Sequence, residues 1–166
     1  GDILRLECDA LVSPSNSFGE MSGGLDKTID DYYDDEAQRC AFNRIRNECL
    51  GELPVGQALV LEMGDVGFPF LILSPTMRIP GLVKDTINAY LSMRAMLVAL
   101  AAYNSTGKRK IRSVAIPSLC TGVGGMNPKN SADQMKQAYS NVVMSGWSSV
   151  VHPALAPYAA SRNLTK

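Results

Sequence analysis

The chain has 166 residues, a length that fits one domain able to bury a sizeable core. Hydrophobic residues make up 46% and charged residues 19%, which excludes a disordered or polyelectrolyte chain. Sixteen basic side chains offset sixteen acidic ones, so no net charge recommends nucleic acid as a partner, and no apolar run approaches the roughly 18 residues that span a bilayer.

The predicted elements alternate between strand and helix, the pattern of an α/β layered fold. Ala10-Leu11-Val12 is a short apolar strand that stops at Ser13-Pro14-Ser15-Asn16. Gly23 and Gly24 precede a helix from Leu25 through Tyr33. A second helix runs from Glu36 to Leu50, with Ala37, Cys40, Ala41, Ile45 and Cys49 at mixed three- and four-residue steps. Pro54 and Gly56 mark the next turn. Ala58 to Leu61 is a second strand, and Phe70 to Leu73 is a third that ends at Ser74-Pro75-Thr76. Asp85 is expected to cap a long helix reaching about Tyr103. Its apolar set includes Ile87, Tyr90, Leu91, Leu97 and Leu100, and Tyr90, Met93, Met96 and Leu97 on it read mostly as core rather than as a cofactor box. Lys108-Arg109-Lys110 is a solvated basic turn. Val114-Ala115-Ile116 is a fourth strand, followed by Pro117 and a glycine-rich loop. Lys129 to Met144 is a helix, and Trp147 to Val151 reads as a last strand. The Ala- and Pro-rich stretch after Pro153 carries no assignment.

The four strand runs are continuous rather than alternating, which suits a sheet covered on both faces by helices. In such sheets ligands bind at the loops beyond the strands' C-terminal ends. Cys8, Cys40, Cys49 and Cys120 form no CxxC pair and match no zinc spacing, and His152 is the one histidine. No metal site and no cofactor are therefore expected, and the thiols are expected to be reduced in a cytoplasmic setting. The chain opens on Gly1 rather than Met, which reads as a trimmed N-terminus. No secretory signal is visible in what remains.

Three loops follow strands and share a small, polar composition. The first is Ser13 to Gly19 with Gly23-Gly24-Leu25-Asp26 behind it. The second is Ser74 to Pro80, and the third is Ser118 to Met126. Glycine lets backbone N–H groups approach a ligand, and successive N–H groups at a helix start make an anion cradle. Two such loops could grip a pyrophosphate without Lys or Arg. Neither a Walker loop nor a GxGxxG turn is present. Asp26 is either a base that positions a water or an acid complementing a helix dipole. Asn16 either contacts a ligand hydroxyl or caps its own turn. Arg78 is either a phosphate contact or a surface partner. Asp30, Asp31, Asp34, Asp35 and Glu36 read as a solvated acidic surface rather than a cation site.

Taken in order, these blocks resemble the macro domain family from Gly1 to about Val143. Gly1-Asp2-Ile3 is similar to the family's opening Gly-Asp-Ile. Cys8-Asp9-Ala10-Leu11-Val12 is similar to Val-Asp-Ala-Ile-Val, and Ser13-Pro14-Ser15-Asn16 stands where many members have Asn-Ala-Ala-Asn. Gly23-Gly24-Leu25-Asp26 resembles Gly-Gly-Val-Asp, and Leu53 to Ala58 resembles Cys-Pro-Thr-Gly-Glu-Ala. Ile116 to Gly125 resembles Phe-Pro-Ala-Ile-Ser-Thr-Gly-Ile-Tyr-Gly. The wording of the first and second loops looks closest to bacterial and phage members labelled as processing ADP-ribose-1''-phosphate.

The resemblance implies a single three-layer α/β/α domain over residues 1–166 with a mixed, mainly parallel sheet. It implies binding of ADP-ribose or a derivative, with an ADP-ribosylated macromolecule as a further partner, and no membrane. Possible reactions are hydrolysis of ADP-ribose-1''-phosphate, of O-acetyl-ADP-ribose or of an ADP-ribosyl linkage. By position, Asp2 and Ile3 would face adenine, and Asn16, Gly23, Gly24 and Leu25 would line the first phosphate loop and distal ribose. Asn16 and Asp26 would hold the attacking water. Cys120, Thr121, Gly122, Val123, Gly124 and Gly125 would wrap the pyrophosphate, with Cys120 also filling the loop, and Met126 would pack near the ribose. Three departures stand out. Ser13 replaces an Asn, Asp30 stands where hydrolytic members often carry His, and Gly124 replaces a Tyr. The rival expectations are a non-catalytic reader, an RNA or poly(A) binder and a degenerate structural domain.

Overall fold

The computed structural model describes residues 1–65, 67–106, 109–149 and 152–160. Its strands are β1 (Ala10–Ser13), β2 (Leu59–Glu62), β3 (Phe70–Leu73) and β4 (Val114–Ala115). Its helices are α1 (Gly24–Tyr32), α2 (Glu36–Glu48), α3 (Asn88–Ser105), α4 (Pro128–Val143) and the short α5 (Ala156–Ala160). The strand order is β2-β3-β1-β4. β1 runs parallel to β3 and β4, with Ala10 opposite Phe70 and Val114, while β2 is antiparallel to β3. The sheet is thus mixed and mainly parallel, and β1 is central to it. At its start, the Asp9 carboxylate accepts from the Arg112 and Ser113 amides and the Ser113 hydroxyl, which fixes β4 beside β1. The Arg112 amide is the main reason its pKa lies below the usual value.

Successive strand side chains point to opposite faces, and the two faces feed two separate cores. Ala10, Val12, Val60, Phe70 and Ile72 pack with Met93, Met96 and Leu97 of α3 and Ala138 of α4. Leu11, Leu61, Leu71 and Leu73 pack with Ile29 of α1 and Ala37, Ala41 and Ile45 of α2. Because every strand residue of β1 and β3 is buried, those strands carry continuous apolar runs in the sequence. The three-layer α/β/α arrangement follows from that double burial. Among the described residues, no helix is long and apolar enough to cross a membrane.

Two elements differ from expectation. α3 begins at Asn88, not after Asp85, because the Thr86 hydroxyl donates to the Val83 carbonyl and accepts from the Asn88 amide, holding residues 83–87 in a turn. Gly146–Ser149 winds into a 3-10 turn rather than a strand, entered through Ser145 at φ 58°. Residues 150 and 151 of that expected strand lie outside the described residues. The unassigned stretch after His152 forms a 3-10 turn, Pro153–Leu155, and α5, with the His152 ring accepting from the Ala154 amide.

A buried polar pair ties β3 to α3. The Ser74 hydroxyl donates to the Ser92 carbonyl at 2.8 Å, and the Ser92 hydroxyl donates to the Ser74 carbonyl at 2.9 Å. Both residues are fully buried. Ser92→Ala is expected to lower the unfolding free energy by about 1–3 kcal/mol in urea titration, because it leaves a buried carbonyl without its donor. An unchanged midpoint would show that the pair contributes nothing to the packing of α3.

Candidate functional site

The parallel pairing of β1 and β3 continues past the strand ends. The Ser74 and Thr76 amides donate to the Ser13 and Ser15 carbonyls, and the Ser17 amide donates to the Met77 carbonyl. The Thr76 hydroxyl reaches back to the Pro14 carbonyl at 2.9 Å. The second loop is joined to the third where the Val83 amide donates to the Gly124 carbonyl at 2.8 Å. All three small-residue loops are therefore stitched together at one edge of the sheet.

Between them lies a cleft of about 490 Å³. Its walls include Asn16, Gly23, Gly24, Leu25 and Asp26 on one side, Cys120, Thr121, Gly122, Val123 and Gly124 on another, and Thr76, Met77 and Pro80 from the second loop. Four of the expected site residues stand elsewhere. Met126 is buried in the α3/α4 core, Gly125 sits beside Leu82 outside the wall, and Asp2 and Ile3 lie on the N-terminal 3-10 turn, Ile3–Arg5. There the Asp2 carboxylate accepts from the Leu4 amide and pairs with Arg5, while Ile3 packs against the α1/α2 core. Among the described residues, no Lys or Arg lines the cleft. Arg78 is held outside it by a two-pronged ion pair with Glu52 and lies over the Phe18 ring.

The third loop turns on itself. The Gly125 amide donates to Gly122 and the Met126 amide to Cys120, but the amides of residues 120–124 have no acceptor among the described residues. Cys120 adopts φ 65°, and a side chain at Gly124 would strike the Cys120 carbonyl oxygen at 2.5 Å. Glycine is thus required at position 124 by close packing. At Gly122, by contrast, an added Cβ meets nothing within 4 Å. The Cys120 thiol is buried, and burial pushes its pKa up to about 12, so it fills the loop as an inert neutral group.

The opposite wall begins α1. Gly23 supplies no side-chain cap, so the first amides of the helix are left for solvent or a ligand. In the first turn, Asp26 accepts a 2.7 Å hydrogen bond from the Ser13 hydroxyl at the end of β1. Burial raises its pKa to about 6 and the nearby Glu20 charge adds to the rise, against the lowering effect of the Ser13 bond. A carboxylate in that range exchanges protons near neutral pH. Asn16 is occupied by its own loop. Its carbonyl oxygen accepts from the Phe18 and Glu20 amides, and its amide donates to the Glu20 carbonyl at 2.9 Å. The turn-capping reading of Asn16 is the one the geometry shows, although the residue still lines the cleft.

Two functional features escaped the sequence reading. Ser13 is the partner of Asp26, and Glu20 brings a second carboxylate to the cleft. A serine ending an apolar strand carries a weak signal for the first. Nothing in the spacing signals the second. Asp30 is buried and accepts from the Gln38 amide, capping α2, so it belongs to the scaffold and not to the acidic surface. Among the described residues no cluster of potential ligands could hold a metal ion.

Residues 12–135 match the family model described as macro domain. An uncharacterized protein of Aeropyrum pernix is 31% identical over 142 residues, spanning 84% of this chain and 68% of that protein. One of Aquifex aeolicus is 32% identical over 132 residues, spanning 80% and 72%. Among solved structures, the macrodomain of Mycobacterium tuberculosis DarG superposes with a TM-score of 0.70 at 23% identity, covering 85% of this chain and 87% of that one. The Oceanobacillus iheyensis macrodomain with ADP superposes with a TM-score of 0.71 at 20% identity, covering 88% and 75%. At these identities the structural matches speak for the fold.

Proposed function

The chain belongs to the macro domain family, and from that premise we propose that its cleft binds ADP-ribose or an ADP-ribose derivative and hydrolyses a bond at the distal ribose. The observation that carries the reading is the meeting, in one cleft, of loop amides that find no acceptor among the described residues, a helix start with no side-chain cap and a carboxylate whose pKa burial raises to about 6. The amides of residues 120–124 and of the α1 start would take the pyrophosphate oxygens. Neutral N–H donors do this without a cation, which agrees with a cleft whose described lining holds no Lys or Arg. The same lack of cations argues against a track for RNA phosphates. Asp26 would accept a proton from the attacking water while Ser13 fixes its orientation. The Oceanobacillus iheyensis macrodomain with ADP shares this fold, a likeness that supports the same ligand class here. An ADP-ribosylated macromolecule is the natural source of such a ligand.

Calorimetric titration with ADP-ribose, with AMP and ATP as controls, tests the reading. A dissociation constant in the micromolar range, selective for ADP-ribose, is expected. No heat with any nucleotide would sink it. A second reading, a reader that binds without turnover, is favoured by Asp30. That position is committed to capping α2 and offers no acid or base to the cleft. Release of product from O-acetyl-ADP-ribose by the purified protein would exclude the reader.

A further inference from the structure

Glu20 and Asp26 both line the cleft. The Glu20 carboxylate does not swing freely. One oxygen accepts from the Ser22 amide at 3.0 Å, and the other faces the Asn16 side-chain amide at 3.5 Å. Asn16 also grips the Glu20 backbone from both sides, through the Glu20 amide and carbonyl. The negative charge is therefore held in place by the loop that also carries the cleft wall. Its field reaches Asp26, where it adds to the effect of burial. Among the described residues, no Lys or Arg lines the cleft to offset the two carboxylates. The amides able to receive an anion sit on the third loop and at the α1 start, and a pyrophosphate would occupy them.

We propose that this cleft selects ADP-ribose conjugates whose group on the distal ribose is neutral or cationic, such as an ester or a guanidinium, and that Glu20 enforces the selection by repelling an anionic group there. The inference rests on the reading that the cleft takes ADP-ribose with its distal ribose beside Asp26. A terminal phosphate carries nearly two negative charges at neutral pH. Placed against Asp26 and Glu20, it would face two fixed carboxylates in a partly desolvated site with no cation to receive it. An acetyl group or a protonated guanidinium meets no such repulsion. The bacterial and phage wording of the first loop, which points to a phosphate-bearing substrate, is thus opposed by the charge at position 20.

The test compares three ligands by calorimetry at pH 7.5: ADP-ribose, O-acetyl-ADP-ribose and ADP-ribose-1''-phosphate. The native protein is expected to bind the phosphate at least about tenfold more weakly than ADP-ribose, and the acetyl ester within about threefold of it. Added salt should narrow the gap for the phosphate and leave the ester alone. Glu20→Gln, which keeps the size and the Ser22 contact, should tighten the phosphate ligand and bring the ratio to within about threefold. Equal affinity for ADP-ribose and its phosphate in the native protein overturns the inference while leaving the cleft assignment standing. An unchanged ratio in Glu20→Gln removes Glu20 as its cause. Failure of all three ligands to bind overturns the cleft assignment itself.

Discussion

Replacing Gly122 by glutamate is expected to abolish ADP-ribose binding, weakening it by at least about a hundredfold, while leaving the melting temperature within about 2 °C of the native value. The position is open: an added Cβ meets nothing within 4 Å. Its φ lies outside the left-handed region, so the backbone accepts a side chain without strain. Yet Gly122 lines the cleft and sits among amides that have no acceptor among the described residues. A carboxylate introduced there would fill the space meant for a phosphate and satisfy the same N–H donors from within. Loss of several charge-assisted hydrogen bonds, each contributing about 1.5–3 kcal/mol, supports the size of the effect. Calorimetry reads the affinity, and thermal denaturation followed by circular dichroism reads the fold. Native affinity in the variant would mean that the third loop does not hold the ligand. Gly124 is unsuitable for this test, because a side chain there collides with the Cys120 carbonyl and confounds binding with folding.

The second large effect concerns Asp26. Asp26→Asn is expected to lower kcat on O-acetyl-ADP-ribose by about 10²-fold or more, with KM within about threefold, because the amide can keep the Ser13 bond but cannot take a proton. If the native protein turns this substrate over, its kcat/KM should rise with pH through about 6, as the carboxyl ionises and becomes a base. Parallel losses in affinity and rate would instead make Asp26 a binding residue. Stability should move the other way. The folded pKa, about 6, lies above the ordinary 3.8, so the folded state holds this proton more tightly than the unfolded chain. The contribution is complete below about pH 4 and is lost as pH rises toward 6. Above that, the free protein carries a desolvated charge costing on the order of 1–3 kcal/mol. Asp26→Asn should therefore be more stable than the native protein at pH 7.5 and no better at pH 4, as urea titration at the two pH values would read. A variant less stable at both would place the worth of Asp26 in its hydrogen bond with Ser13.

Most of the scaffold was legible because burial on both faces leaves an unbroken apolar run, and β3, Phe70–Leu73, is such a run. Helix α4, expected from Lys129 to Met144, runs from Pro128 to Val143, and its start is marked by Asn127, which accepts from the Lys129 amide, and by Pro128. Errors arose where a side chain competed with local rules. Asp85 looks like a cap, but Thr86 makes the turn that delays α3. Trp147 and its neighbours have strand-like composition, yet the left-handed Ser145 turns them into a 3-10 coil. In the cleft, glycine loops announced themselves by composition. The Ser13–Asp26 bond spans thirteen positions and depends on β1 ending beside α1, which no spacing rule encodes. Glu20 lines the cleft from a loop that Asn16 folds back on itself, and Met126 is buried in the core with Leu119 and Cys120.

The two cores on either face of the sheet bear on more than stability. Met21 and Leu25 anchor the first loop in the α1/α2 core, whereas Leu119, Cys120 and Met126 anchor the third in the α3/α4 core. The opposing jaws of the cleft thus grow from different layers, and the sheet between them acts as a spacer of fixed gauge. The distance between the jaws is set by the thickness of a β-sheet flanked by helices rather than by the loops themselves. A ligand lying across that gap would clasp the two layers to each other, so that occupancy of the cleft becomes a fastening for the whole sandwich.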